Sequence, residues 1–422
     1  MSININENIT LHYIPMQKLK TSSMGVYIHR PLCKEEAAKN GLLPFILKRG
    51  CMLAPTVEDI AKYLDNLYGA GIRAGVLKRG LDHVLTFTCD SISEKYTPFG
   101  EPIFDDLTDL LISVLLEPVT KDGAFLADFV EQEKKNNIEQ LESIINDKRS
   151  YAALKCAKAV YKGTDLEISK LGTVEDIKGI TPEELYNHYK KVICESPIDI
   201  VLSGEWDVDR ISEKIKKAFS SISLKKSEIK KTKAFIKQRE IQNVEEKLNI
   251  AQGKLSMGFI TGVNADDDEE YWSMMVANSI FGGGAHSKLF NNVREKLSLC
   301  YYASSGLDRY TGVLNVNAGI EFENFQKAYD EILVQLKELQ SGNVSELEYV
   351  SSINAIVNSL KTCRDDQYAM QSFYISEKVS GTGRDLDEII EKIKQVSVDM
   401  AVSASQKIKL DTVYFLKGEE VK

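Results

Sequence analysis

Apolar and polar positions divide the chain into short strands and amphipathic helices. Residues 8–14 and 21–30 read as strands, the second being TSSMGVYIHR. Glu35 to Arg49 reads as a helix, and from Val57 to Tyr68 the apolar residues Val57, Ile60, Ala61, Leu64, Leu67 and Tyr68 recur at helical spacing. The extended runs GIRAGVLK and HVLTFTCD follow, rich in β-branched and aromatic residues. Ile103 to Leu116 predicts an amphipathic helix and Gly123 to Asp147 a long charged one. Tyr151 to Tyr161 and Pro182 to Ile193 predict two more, with Thr181 as N-cap and Pro182 at the first helical position. Ile198 to Leu202 reads as a strand and Val208 to Ser220 as a helix.

The pattern then starts again. Ser256-Met257-Gly258-Phe259-Ile260 echoes Ser23-Met24-Gly25-Val26-Tyr27, and Phe415-Leu416-Lys417-Gly418-Glu419 echoes Val201-Leu202-Ser203-Gly204-Glu205. Both halves run strand, helices, hairpin, helices, strand, and matched order is a stronger sign of duplication than either short echo. The expectation is an α+β protein of two homologous domains, each an antiparallel sheet with helices on one face. Their bounds are residues 1–220 and 236–422, joined by a polar, basic linker over 221–235.

At 422 residues the chain suits two domains of about 200 residues each. Its apolar share of 43% and charged share of 27% are those of a globular protein. A net charge of −9, with no basic stripe interleaved with aromatics, argues against nucleic-acid and anionic-membrane binding. No apolar run reaches the roughly 18 residues of a membrane span. Cys33, Cys51, Cys89, Cys156, Cys194, Cys300 and Cys363 are scattered without a C-x-x-C, the usage of a reducing compartment. The opening MSININENITLHYIP lacks a charged-then-apolar leader pattern, so the expected location is cytoplasmic.

Candidate chemistry concentrates in FGGGAHSKLFNNVREKLSLCYY, Phe281 to Tyr302. Gly282, Gly283 and Gly284 follow an acidic-start helix, DDDEEYWSMMVANSI. Such a run marks a backbone that bends sharply or lies close to something. A second helix follows with Leu289, Phe290 and Val293 on one face, ending near Arg294, before the chain turns extended at Cys300-Tyr301-Tyr302. Arg294 and Tyr301 can face one cleft; on spacing alone the simpler reading is a helix-end ion pair and a sheet aromatic. Asp266 to Glu270 lacks the glycine and terminal glutamate of a calcium loop and reads as a helix first turn. FGGGAHSK does not match a phosphate-binding loop.

This stretch resembles the second-domain signature of the insulinase/pitrilysin family, the inverted-zincin peptidases: a glycine turn, a small-residue-rich helix, R-E-K, then a tyrosine after a short apolar link. The resemblance extends over nearly the whole chain. It implies that Arg294 and Tyr301 contact a peptide near its scissile bond, and that the two domains form one half-shell of a peptidase chamber.

Catalytic members carry H-x-x-E-H on the first-domain helix, two histidines holding zinc and a glutamate polarising water. Here the matching segment, Gly41-Leu42-Leu43-Pro44-Phe45-Ile46-Leu47-Lys48, places Pro44 and Lys48 at the histidine positions and Leu47 at the glutamate. Proline and leucine offer no ligand atom, and a protonated lysine offers donors only. The family's third ligand, counted seven residues on from Glu133, falls on Gln140. The histidines, His12, His29, His83, His188 and His286, include no pair within one helical turn. Lys48 either places a fixed positive charge near the vacated position or is a solvated surface lysine.

The resemblance therefore implies a non-catalytic subunit with no metal of its own. Its partner would be a homologous H-x-x-E-H peptidase that holds the zinc and acts on a peptide or unfolded protein. The alternative is a non-proteolytic binding or scaffold protein. The bacterial subgroup that the chain most resembles is named for the 5-aminopentanol modification of translation elongation factor P.

Overall fold

The computed structural model describes residues 1–220, 222, 225 and 239–419. The linker read at 221–235 lies outside the described residues except at positions 222 and 225. In chain order the first elements are β1 (Ser2–Asn4), β2 (Ile9–Pro15), β3 (Thr21–Pro31), α1 (Lys34–Leu47), α2 (Val57–Asn66), β4 (Gly71–Arg79), β5 (Asp82–Ile92) and α3 (Ile103–Leu116). Then come β6 (Thr120–Lys121), β7 (Ala124–Phe125), α4 (Ala127–Ser143), α5 (Lys148–Val160), α6 (Val174–Gly179), α7 (Pro182–Glu195), β8 (Ile198–Gly204) and α8 (Val208–Phe219). The second half holds β9 (Gln242–Leu248), β10 (Gly253–Ile260), α9 (Asp268–Gly282), a π-helix (Leu289–Lys296), β11 (Cys300–Leu307) and β12 (Val313–Ile320). It continues with α10 (Phe325–Gln340), α11 (Glu346–Thr362), α12 (Gln367–Ser380), α13 (Leu386–Gln395), α14 (Val398–Ser405) and β13 (Lys409–Gly418).

The charged helix expected over 123–147 is shorter than its pattern. Asp122 and Gly123 both take positive φ, 53° and 80°, and turn the β6–β7 hairpin, so α4 begins only at Ala127. At the other end Asp147 caps a separate helix by accepting from the Arg149 and Ser150 amides.

Among the described residues two large sheets form, with strand orders β1-β2-β8-β3-β5-β4 and β11-β12-β10-β13-β9. Read from the opposite edge, the second order is β9-β13-β10-β12-β11, which superimposes on β2-β8-β3-β5-β4 strand for strand. The echoed segments occupy equivalent places: β3 and β10 are central, and β8 and β13 lie beside them. The pairings are antiparallel with one parallel pair in each sheet, β2 with β8 and β9 with β13. Alternation of side chains does not distinguish the two directions, so this detail was not readable from pattern.

The compact units are not the contiguous halves of the sequence. One comprises Met1–Glu142, Ile168–Thr232 and Cys363–Val379; the other comprises Ser143–Glu167, Lys233–Thr362 and Ser380–Lys422. Each sheet therefore has helices on its main core face and one helix on the other. In the first unit, Met24, Val26 and Ile28 of β3 join the main core with Leu42, Leu43 and Leu47 of α1, while Tyr27 turns to the opposite face and packs with Ile375 of α12. In the second, Tyr414 and Leu416 of β13 pack with Ala152 and Cys156 of α5.

The echoed glycines make these second-face contacts possible. A Cβ on Gly25 would lie 2.4 Å from Gln371 Oε1 of α12, and one on Gly258 would lie 2.3 Å from Val160 Cγ2 of α5. Gln371 fills the room left at Gly25, donating to Ser203 Oγ at 2.7 Å and accepting from the Tyr27 hydroxyl at 3.0 Å.

Candidate functional site

The first-unit segment is the end of α1. The helix runs through Pro44, which is buried, and stops at Lys48, which is half-buried. Leu47 is 1% exposed and belongs to the main core. Gly41 lets the 170–171 segment close in: a Cβ there would be 3.0 Å from Leu171 Cα. Helix α4 lies alongside, its Asn137 amide donating to the Gly41 carbonyl at 3.3 Å. One residue past Lys48, Arg49 reaches Glu133 of α4 at 2.6 Å and Gln132 at 2.7 Å, both on the same helix, and stacks 5.1 Å from the Phe129 ring centroid. Gln140 is exposed farther along α4.

A zinc ion needs lone pairs from histidine, thiolate or carboxylate converging at about 2 Å. Pro44 and Leu47 have none, and Lys48 and Gln140 do not supply that set. The residues at the metal positions do not fit the metal. The ion pair of Arg49 with Glu133, which motif matching passed over, instead ties the two helices that would have framed it.

Beside the start of α1 the buried polar groups form a closed network. His83 Nε2 lies 2.9 Å from the Lys170 carbonyl, its Nδ1 lies 3.3 Å from Asn40 Nδ2, and Asn40 Oδ1 lies 2.8 Å from His188 Nε2. Only one proton arrangement satisfies all three contacts. His83 donates from Nε2 to the carbonyl, Asn40 donates to His83 Nδ1, and His188 donates from Nε2 to Asn40. Burial disfavours the charged form and holds both imidazoles at about 4. Next to it, burial would raise the Glu36 carboxyl, but hydrogen bonds from Lys191 and Arg30 outweigh it and hold the acid at about 2.

The second-unit segment is built differently. None of Gly282, Gly283 and Gly284 takes a positive φ. Their role is close approach: a Cβ on Gly282 would lie 2.6 Å from the Ser305 backbone nitrogen of β11, and one on Gly283 would lie 2.6 Å from Ser279 Cα. The bare end of α9 thus presses directly on the edge strand, and Ser305 Oγ donates to Asn278 Oδ1 at 2.7 Å.

The helix that follows is a π-helix, shown by the Leu297 amide bonding the Asn292 carbonyl five residues back at 3.1 Å. Leu289 and Val293 are fully buried and anchor it, and Phe290 lies half-buried beneath Arg294, whose guanidinium is 4.6 Å from the ring centroid. Arg294 remains about one-third exposed, with Glu295 at 3.6 Å.

Ser298, at φ 50°, then turns the chain into β11. Cys300 pairs with Ile320 and Tyr302 with Gly319, so Tyr301 is one extra residue against β12 and forms a β-bulge. The bulge leaves Tyr301 76% exposed, while Cys300 stays buried.

Two duplicated α+β units, an α1 that ends in Pro44, Leu47 and Lys48, and a glycine-led segment presenting an arginine and a tyrosine define a peptidase-like fold. A family model described as the peptidase M16 inactive domain matches residues 179–356. The probable inactive metalloprotease YmfF of Bacillus subtilis (strain 168) is 31% identical over 412 residues, spanning 98% of this chain and 96% of that protein. The chain belongs to the M16 peptidase family.

Solved structures agree. A conserved protein from Enterococcus faecalis V583 superimposes with a TM-score of 0.89 at 28% identity, covering 100% of this chain and 99% of that one. A peptidase M16 inactive domain from Pseudomonas fluorescens has the same fold, with a TM-score of 0.77 at 16% identity over 99% and 98% of the two chains. No helix among the described residues is long and apolar enough to cross a membrane.

Proposed function

We propose that this chain is the non-catalytic subunit of a two-chain zinc metallopeptidase of the cytoplasm. Its partner is a homologous subunit that carries H-x-x-E-H and holds the zinc, and each supplies one half-shell of the chamber. The observation that carries this reading is a contrast within one chain. The metal positions hold Pro44, Leu47, Lys48 and Gln140, while Arg294 and Tyr301 persist and Tyr301 is pushed out of its strand into solvent.

The two retained side chains suit the work left to them. The Tyr301 hydroxyl donates to the oxyanion that forms on the scissile carbonyl, and Arg294 holds a substrate carbonyl or carboxylate through its forked donors. The partner's zinc supplies the activated water. The close contacts at Gly282 and Gly283, together with the buried anchors Leu289 and Val293, keep the arginine and tyrosine on a rigid base, as positioning requires.

The test is cleavage of an unfolded-protein or peptide substrate by this chain, by an H-x-x-E-H homologue from the same organism, and by the two mixed. Activity confined to the mixture and abolished by a chelator is expected. Tyr301→Phe in that mixture should lower turnover by about 100- to 1,000-fold without weakening assembly. Full turnover with Tyr301→Phe removes the tyrosine's role; silence in all three samples favours the binding or scaffold alternative.

A further inference from the structure

The tyrosine next to the bulge has its own surroundings. Tyr302 pairs with Gly319, and its ring fills the space over that glycine: a Cβ there would be 2.5 Å from Tyr302 Cε1. The Arg149 guanidinium of α5 lies 4.2 Å from the Tyr302 ring centroid and the Lys254 ammonium of β10 lies 6.0 Å from it, so two cations approach one aromatic ring. Arg149 reaches Ser304 Oγ at 3.5 Å, and Lys254 donates to Gln252 Oε1 at 2.6 Å.

Neither cation forms an ion pair among the described residues, although the Asp147 and Glu321 carboxylates act on Lys254 from farther away. The nearby Asp147 carboxylate is committed to capping α5, accepting from the Arg149 and Ser150 amides and from Ser150 Oγ at 2.5 Å.

Alternation along β11 and β12 puts Tyr302, Ser304 and Gly306 on one face, opposite Gly319, Asn317 and Asn315. This face is polar. A Cβ on Gly306 would meet open space, and the buried Asn315 Oδ1 has no hydrogen-bond partner. Burial and Arg149 both push the Lys254 ammonium down from its usual value, and burial pushes the Tyr302 phenol up to about 12, so it remains a donor at neutral pH. The cluster therefore offers donors and positive charge, under mutual repulsion that a bound anion relieves.

We propose that Arg149, Lys254 and Tyr302 form a carboxylate-binding site on this sheet face. It takes either the C-terminal carboxylate of a bound peptide or an acidic side chain within it. A planar guanidinium matches the two oxygens of a carboxylate, the ammonium adds a second charge, and the phenol adds a third donor. The inference rests on the peptide-binding reading above and adds the chemistry of the group recognised.

The test uses fluorescence anisotropy with one labelled peptide in three forms: free C-terminal acid, C-terminal amide, and an amide with one internal glutamate. The acid should bind about tenfold tighter than the plain amide, the gain of one charge-assisted contact at a partly exposed site. Arg149→Gln and Lys254→Met, each checked for folding by circular dichroism, should collapse that ratio toward one. If the glutamate-bearing amide recovers the affinity, the side chain is the source; if it does not, the terminus is. Equal binding of acid and amide, or a ratio unchanged in both variants, overturns the carboxylate site and leaves the peptide-binding reading standing. Failure of every form to bind overturns both.

Discussion

The end of α1 and the segment from Gly282 to Tyr301 descend from the two halves of one duplicated design, yet they have been treated in opposite ways. At α1 the positions that the family resemblance aligns with metal ligands are part of the packing. Leu47 is in the core, Pro44 is buried within the helix, and the charged pair nearby serves to tie α1 to α4. In the glycine-led segment the buried residues support, and the polar ones are held out. A π-helix keeps Arg294 over Phe290, and a bulge keeps Tyr301 out of the strand. On the proposed reading, the first is what lost chemistry leaves behind, a side chain fitted to packing, and the second is what retained chemistry looks like, polar groups that packing does not require.

The comparison can be broken most forcefully at Leu47. Restoring the family's glutamate there, Leu47→Glu, places a carboxylate in an apolar core and leaves it unpaired, which should cost on the order of 4 kcal/mol in unfolding free energy. The added histidines of Pro44→His and Lys48→His are not expected to repay it, since Gln140 still withholds the third ligand. Urea denaturation measures the loss. A triple variant as stable as the parent would mean that α1 still has the shape of a metal site.

A smaller effect per residue is expected from acid. His83 and His188 are held at about 4 by burial, against 6.5 in the unfolded chain. Between those values the unfolded chain binds protons that the folded chain does not, so stability falls as pH drops from 6.5 toward 4, by on the order of 3 kcal/mol per imidazole. His29 has the opposite sign. Although burial lowers it, its contacts with Asp199 and Asp82 dominate and raise it to about 9, so its contribution is complete below 6.5 and is lost as pH rises to 9. Thermal denaturation between pH 4 and 9 should therefore peak near 6.5. His188→Gln, which keeps a donor toward Asn40, should roughly halve the acid-side slope and leave the alkaline side unchanged.

How far these features were legible in the sequence follows from the range of the interactions behind them. Strand and helix positions and the duplication rest on local alternation and on echoes such as SMG, and both carried through to matching strand orders. The exchange of α5 and α12 between units rests on contacts far apart in the chain. Its only local trace was a glycine in the middle of each central strand. At the candidate site, the order of Arg294 and Tyr301 was legible from the family motif, but the different surroundings of Tyr301 and Tyr302 were not. A one-residue slip against β12 decides which tyrosine is exposed, and no pattern of period two records it.

Between the two regions lies a third kind of residue, polar and structural. Arg49 and Glu133 are mostly buried, with side chains 17% and 11% exposed. Arg49→Met should keep the packing on Phe129 but leave Glu133 with only Asn136, at 3.1 Å, as a close donor among the described residues. The expected cost is about 2 kcal/mol, below that of a fully buried pair because water still reaches both groups. The double variant Arg49→Met, Glu133→Met should recover most of it. If it does not, the pair holds α1 by more than its charge.

The smallest expected effect sharpens the comparison most. Tyr301→Phe removes one hydroxyl from a side chain that is 76% exposed and has no hydrogen bond among the described residues, so its unfolding free energy should change by less than about 0.5 kcal/mol. Nothing in the packing of β11 then accounts for the hydroxyl, and the bulge that displaces it gives up ladder pairing at an edge strand. A stability cost above about 1 kcal/mol would place Tyr301 with Leu47, as structure. No cost to stability together with a large fall in turnover of the mixed subunits would place it with the chemistry.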